Sequence, residues 1–251
     1  MKRFALLTSM SLCFVASTVS AQEVTLQNDS IAAGGSGNVQ LGFINGEFGA
    51  ATFYPDFSMF PLQIKRVQIG WSALIPGQAQ NNVQDGIFIY EGTPSASNAA
   101  IFVSDPIQLT PQFLNEYDFE NEAIIIANPA PITVGMKFSD APNGSFLAAS
   151  LVTDLDGCQP NKNFIFAVPG GWVPSCSFGV TGDFNIRIVV EHIELPCYPD
   201  CDNNGTLNVF DYICFGNAFA TAQFYADCDG NGSLNVFDYI CFGNEYSVGC
   251  P

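Results

Sequence analysis

An eighteen-residue stretch occurs twice near the end of this 251-residue chain, and no other feature restricts its folding so tightly. Asp200-Cys-Asp-Asn-Asn-Gly-Thr-Leu-Asn-Val-Phe-Asp-Tyr-Ile-Cys-Phe-Gly-Asn217 returns 27 residues later as Asp227-Cys-Asp-Gly-Asn-Gly-Ser-Leu-Asn-Val-Phe-Asp-Tyr-Ile-Cys-Phe-Gly-Asn244. The copies differ only at Asn203/Gly230 and Thr206/Ser233. Residues 196–251 therefore read as one small module built from two like units. Residues 22–195 read as a separate domain that the module carries or attaches.

Oxygen-bearing side chains recur in each copy at fixed spacing. Ca²⁺ is a hard cation that takes six to eight oxygens, and a calcium loop supplies them from positions 1, 3, 5, 7 and 12, with Gly at 6 for the turn. The first copy places Asp200, Asp202, Asn204, Thr206 and Asp211 at those positions, with Gly205 at 6. The second places Asp227, Asp229, Asn231, Ser233 and Asp238 there, with Gly232 at 6. Position 7 acts through its main-chain carbonyl. Leu207 and Leu234 anchor position 8, and Asn208 and Asn235 at position 9 contribute directly or through water. A pair of ordinary Asn-Gly turns would not need acids at 1, 3 and 12. Two bound Ca²⁺ ions are expected. Without them the carboxylates repel one another, so the metal-free module is expected to be poorly ordered apart from its disulfides.

An apolar run follows each loop, at residues 209–219 and 236–246, and predicts two helices. Both runs are apolar nearly all round. One part is expected to face the other helix, another the β-sandwich, and another to form an interaction surface. Phe210, Tyr212, Phe237 and Tyr239 are the expected partner-binding residues.

Charge narrows the classes of partner. Met1-Lys-Arg, the apolar run to about Val19 and Val19-Ser-Ala21 form the pattern of a secretory signal peptide over residues 1–21, with cleavage after Ala21 and export. Beyond it, five basic residues stand against 24 acidic ones, a balance of −19. Such a surface repels nucleic acid and anionic lipid and favours cations. No later stretch approaches the ~20 apolar residues of a membrane span, so the mature chain is expected to have no transmembrane segment and to be secreted or held at the cell surface.

Export gives meaning to the cysteines. Past Cys13 in the leader, eight remain. Cys158 and Cys176 lie in the large domain, while Cys197, Cys201, Cys214, Cys228, Cys241 and Cys250 lie in the last 55 residues. This partition suggests one bridge in the domain and three in the tail. Six cysteines permit fifteen connectivities. Cys197 and Cys250 bracket the repeats and are expected to clasp the module's ends. The other four pair either within or between copies.

Residues 22–195 carry short apolar or alternating runs separated by Gly, Pro, Asn and Asp. Candidate strands are 23–27, 38–44, 50–54, 62–72, 86–90, 100–103, 106–109, 132–138, 146–152, 163–168 and 184–193. In Leu62-Gln-Ile-Lys-Arg-Val-Gln-Ile-Gly-Trp71 the alternation slips at Lys65-Arg66, which suggests a bulge. The expected fold class is mainly β: an antiparallel β-sandwich, jelly-roll-like, followed by a small α module of two calcium-loop-helix units.

Chemistry is sparse in the large domain. His192 is the only histidine, which excludes a histidine-rich metal site. Asp154-Leu-Asp-Gly157 is an acidic turn that is an ordinary Asp-Gly turn, a structural cation site or a carboxylate pair. Asp118, Glu120 and Glu122 alternate with Phe119 as a solvated strand face. Trp71 and Trp172 either fill the core or stack on sugar rings. No catalytic set emerges, so an enzyme is not expected and a hydrolase is the weaker alternative.

The loop-then-helix unit, twice over, resembles a dockerin across residues 200–246. That resemblance implies a calcium-dependent dock for a cohesin-like or other envelope protein. The Val-Phe pairs at loop positions 10 and 11 and the six cysteines depart from the usual dockerin, which leaves the partner's identity open. The large domain is similar to exported bacterial β-sandwich domains that precede such tails, through segments such as Phe60-Pro-Leu-Gln-Ile and Gly182-Asp-Phe-Asn-Ile-Arg187. The expected function is non-catalytic, calcium-dependent anchoring. A carbohydrate-binding module recruited to a polysaccharide-degrading assembly is the alternative, and a self-assembling surface-layer role a further one.

Overall fold

The computed structural model describes residues 22–32, 35–75, 82–110, 114–140, 149–193 and 197–250. The expected leader (1–21) and the joint at 194–196 lie outside them. The chain divides into two compact units, Met1–His192 and Ile193–Pro251.

The first unit is mainly β, and its strands pair antiparallel. The strands begin with β1 (Glu23–Gln27), β2 (Asn38–Val39), β3 (Phe48–Phe53), β4 (Leu62–Ala73) and β5 (Asn82–Gln84). Next come β6 (Gly86–Glu91), β7 (Phe102–Val103), β8 (Ile107–Leu109), β9 (Leu114–Asp118) and β10 (Ile124–Ile126). The last are β11 (Ile132–Lys137), β12 (Ala149–Thr153), β13 (Asn163–Ala167), β14 (Gly171–Pro174) and β15 (Ile186–His192). One sheet runs β1-β15-β4-β12-β2, with β9 and β10 also pairing with β4. A second runs β14-β13-β3-β11-β6-β7, and β5 pairs with β8.

Alternation along the strands builds the core. Leu62, Ile64, Val67, Ile69 and Trp71 of β4 are fully buried together with Ile87 and Ile89 of β6 and Val134 and Met136 of β11. One buried cluster thus draws side chains from both large sheets, at roughly 1.5–3 kcal/mol for each large side chain removed from water. The slip at Lys65-Arg66 is a true irregularity: Val189 pairs with Arg66 and Val190 with Ile64, so Lys65 is the extra residue. Asp118, Glu120 and Glu122 do not form one strand face. Asp118 ends β9, and Glu120–Glu122 is a single 3-10 turn.

Cys158 and Cys176 form a disulfide that ties the turn after β12 to the 3-10 turn Ser175–Phe178. Closing a loop of this size contributes about 3 kcal/mol on the chain-entropy account.

Among its described residues the second unit has two α-helices, α1 (Val209–Ala220) and α2 (Val236–Val248). Each starts where its sequence says it should. Asn208 and Asn235 cap α1 and α2, accepting from the amides of Phe210 and Phe237. Asp211 and Asp238, three residues on, accept the cap residues' own amides at 2.8 and 2.7 Å. This reciprocal box satisfies donors that a helix start leaves open.

The unit's core is small and its contacts come in matched pairs. Phe215 and Phe242 stack with ring centroids 4.2 Å apart. Tyr212 meets Phe242 edge-on at 5.1 Å, and Tyr239 meets Phe215 edge-on at 5.0 Å. Gly216 and Gly243 lie against this crossing: a Cβ on either would stand in ordinary contact, 3.4 or 3.6 Å from the opposite tyrosine's hydroxyl. So few buried side chains cannot hold a unit of this size alone, and disulfides supply the remainder. The pairs are Cys197–Cys250, Cys201–Cys214 and Cys228–Cys241. The end-to-end clasp is the expected one, and the inner four pair within copies.

Candidate metal centres

Each loop gathers its acids because the chain turns sharply around them. In the first, Asp200 Oδ1 and Oδ2 accept from the amides of Asn204 and Gly205 at 3.1 and 2.8 Å. Asn204 Oδ1 accepts from the Thr206 amide at 2.9 Å. Gly205 has φ +76°, a conformation that a side chain disfavours. The second loop repeats the pattern through Gly232 to Asp227 at 2.9 Å and Ser233 to Asn231 at 2.9 Å.

These turns bring one carboxylate oxygen each of Asp200, Asp202 and Asp211 within 4.8 Å of one another, and likewise Asp227, Asp229 and Asp238. Asp211 and Asp238 are fully buried. Their Oδ2 atoms serve the helix caps, which leaves Oδ1 turned to the loop. Asp238 Oδ1 and Asp227 Oδ1 are buried without a hydrogen-bond donor among the described residues. Buried acceptors are nearly always satisfied, so these oxygens lack a partner that a hard cation would supply. Residues 197–251 contain no Lys or Arg to neutralise the acids. The donor set is oxygen throughout, as Ca²⁺ requires.

Position 9 plays a different part from the one its spacing suggested. Asn208 Nδ2 donates to the Thr206 carbonyl at 2.8 Å while its Oδ1 caps α1, and Asn235 does the same with Ser233 at 2.7 Å. Both amides are committed to the main chain.

Of the four expected partner-binding residues, Phe210 and Phe237 stand out from the helices, 62% and 63% exposed. Tyr212 and Tyr239 are partly exposed, but each also packs on the opposite helix. Beside the phenylalanines lie Val209 with Ile213, and Val236 with Ile240, all exposed. Helical spacing was the signal for these four: residues three and four apart share a face.

Two other matched residues lie upstream of the eighteen-residue repeat. The Tyr198 hydroxyl donates to the Tyr225 carbonyl at 2.8 Å, and the Tyr225 hydroxyl donates back to the Tyr198 carbonyl. Burial lifts both phenols to about 12.

In the first unit, His192 ends β15 at the surface, with Nδ1 3.3 Å from the Met59 carbonyl. Trp71 is wholly buried, which removes it from any surface role. Trp172 is half-buried and in ring contact with Phe48, Tyr90 and Phe166.

No protein-family model matches the chain, and no curated protein matches it. Among solved structures, the Clostridial cysteine protease Cwp84 after propeptide cleavage is similar over 68% of this chain, at 9% identity and a TM-score of 0.40. The cysteine protease and lectin-like domains of Cwp84, a surface layer associated protein of Clostridium difficile, are similar over 59%, at 10% identity and a TM-score of 0.32. The chain spans 40% and 32% of those two chains. A likeness this distant leaves the functional reading to the residues themselves.

Proposed function

We propose that this is an exported, non-catalytic protein whose C-terminal unit is a dockerin-like pair of calcium-loop-helix units. The unit binds two Ca²⁺ and anchors the chain to a cohesin-like or other cell-surface protein. The two large sheets, which share one buried cluster, are read as a jelly-roll-like β-sandwich that the anchor displays. The observation that carries this reading is the doubled acidic loop, with buried Asp227 and Asp238 oxygens that lack donors, leading each time into a helix that leaves Val, Phe and Ile exposed.

The experiment is capture of envelope proteins by the full chain, with Ca²⁺ and with chelator. A specific protein retained only with Ca²⁺, and lost from the F210A/F237A variant, supports the reading. Capture that is indifferent to chelator, or no capture, overturns the anchoring role.

A second reading rests on Trp172 and Phe166, which are partly exposed and pack on the buried rings of Phe48 and Tyr90. Aromatic faces stack on sugar rings, so the first unit would bind extracellular polysaccharide. Glycan-array binding abolished in W172A would favour it, and an array without signal would remove it.

A further inference from the structure

A third acidic group stands in the first unit. Asp154 and Asp156 lie in the turn after β12, and Asp183 lies just ahead of β15. One carboxylate oxygen from each is within 4.8 Å of the others. Asp154 and Asp183 are 1% and 0% exposed, whereas Asp156 is open to solvent. The main chain forces the two turns together: Gly182 approaches so closely that a Cβ there would stand 2.2 Å from the Asp154 carbonyl oxygen.

The hydrogen bonds around this group are incomplete. Asp154 Oδ1 accepts from the Asp183 amide and Oδ2 from the Ser30 amide, both at 2.8 Å. Asp183 Oδ1 accepts from the Gln159 amide at 3.0 Å and from the Asn163 side chain. Asp183 Oδ2 is buried and has no hydrogen-bond donor among the described residues. The Lys162 ammonium is 4.0 Å from it, beyond hydrogen-bond reach. Three carboxylates therefore face one partly exposed ammonium, which offsets the burial of the Asp183 oxygen only at ion-pair distance and without a hydrogen bond.

The ligand chemistry selects the ion. Every offered atom is oxygen. Cys158 is locked in its disulfide, and the single histidine, His192, lies against Met59. Soft or borderline metals that want thiolate or imidazole have nothing to bind. Ca²⁺ accepts irregular oxygen sets and fills out its shell with carbonyls and water. We propose that Asp154, Asp156 and Asp183 form a third Ca²⁺ site, within the first unit and separate from the two loops of the tail. It would pin the turn after β12 to the strand entry of β15, beside the Cys158–Cys176 bridge.

The test uses the full chain carrying D211N and D238N, which weaken the tail loops. Trp71 and Trp172 both belong to the first unit, so tryptophan emission reports its melting alone. Ca²⁺ is expected to raise that midpoint by roughly 5–10 °C when free Ca²⁺ is about 100-fold above its dissociation constant. Adding D156N, at an exposed position that leaves the buried pair in place, is expected to abolish the rise, and D183N to do the same. No rise in the D211N/D238N chain, or a rise that survives D156N, overturns the proposal. Neither outcome bears on whether the wild-type tail binds Ca²⁺.

Discussion

Tyr198 and Tyr225, 27 residues apart, hold each other by exchange: each phenol donates to the other's main-chain carbonyl, and their rings lie 4.9 Å apart. The spacing is that of the repeat itself, so the two copies grip at their entrances as well as across their helices. A neutral hydrogen bond of this kind contributes about 1 kcal/mol. Y198F and Y225F are each expected to lower the tail's stability by about that much. Because each bond holds the residue whose carbonyl and hydroxyl serve the other, the double variant is expected to depart from additivity by ~0.5 kcal/mol or more. Chemical unfolding followed by tyrosine near-ultraviolet dichroism measures both, and strict additivity would show that the two bonds act independently.

The position-12 acids carry two duties that one substitution can separate. Asn at 211 or 238 keeps an oxygen for the cap residue's amide but removes the charge facing the loop. D211N and D238N are each expected to remove one tail Ca²⁺ from the titration, with affinity at that loop falling on the order of tenfold or more. D211A and D238A lose the capping acceptor as well, a further cost of about 1 kcal/mol without metal. Isothermal titration beside melting in chelator distinguishes the two effects. Unchanged stoichiometry in D211N would sink the assignment of that loop.

Phe215 and Phe242 are the two large, fully buried side chains of the tail's core. F215A or F242A is expected to cost about 3–5 kcal/mol, enough to unfold so small a unit. The tryptophan-detected melting of the first unit should stay where it is. A joint shift of both transitions would mean that the two units fold as one.

The disulfides should rank by the loop they close. Serine at Cys197 and Cys250, which span 53 residues, is expected to cost about 4 kcal/mol. Serine at Cys201 and Cys214, spanning 13, is expected to cost about 3 kcal/mol. Denaturant midpoints in saturating Ca²⁺ provide the comparison, and the reverse ranking would place the main effect in the folded state.

Alkaline pH should weaken the first unit before it touches the disulfide framework. Burial raises the Tyr90 and Tyr117 phenols above the ordinary 10.0. A raised acid means that the fold favours the neutral phenol. The stability this lends is complete below pH 10 and is lost as pH climbs through the folded values. The tryptophan-detected midpoint should therefore fall above pH 10. Y117F gives up the bond to the Gln108 carbonyl, at 2.9 Å and about 1 kcal/mol, yet should flatten part of that fall. An identical alkaline slope in Y117F would remove this residue from the account.

What could be read from the chain beforehand follows from how local its causes are. β1 and β4 and both helix starts declare themselves through alternation or capping residues in a few neighbouring positions. β10 is only Ile124-Ile-Ile126, and β14, Gly171-Trp-Val-Pro174, looks like a turn, because pairing with β4 and β13 rather than composition makes them strands. The inner disulfides could not be chosen by spacing, since exchange within or between like copies satisfies the same count. Tyr198 and Tyr225 escaped notice because Pro199 and Ala226 interrupt the identity just upstream of each loop. Tyr212 and Tyr239 stay at the surface while also packing on the opposite helix, and Ile213 and Ile240 are exposed beside them.

The matched contacts of the tail have a stoichiometric meaning. Phe215 on Phe242, Tyr212 on Phe242 against Tyr239 on Phe215, and the tyrosine exchange are related as the two sides of an isologous dimer are. The tail is in effect a homodimer written on one strand of chain, and neither half can bury its own phenylalanine without the other. A synthetic single repeat, oxidised and given Ca²⁺, should therefore sediment as a pair.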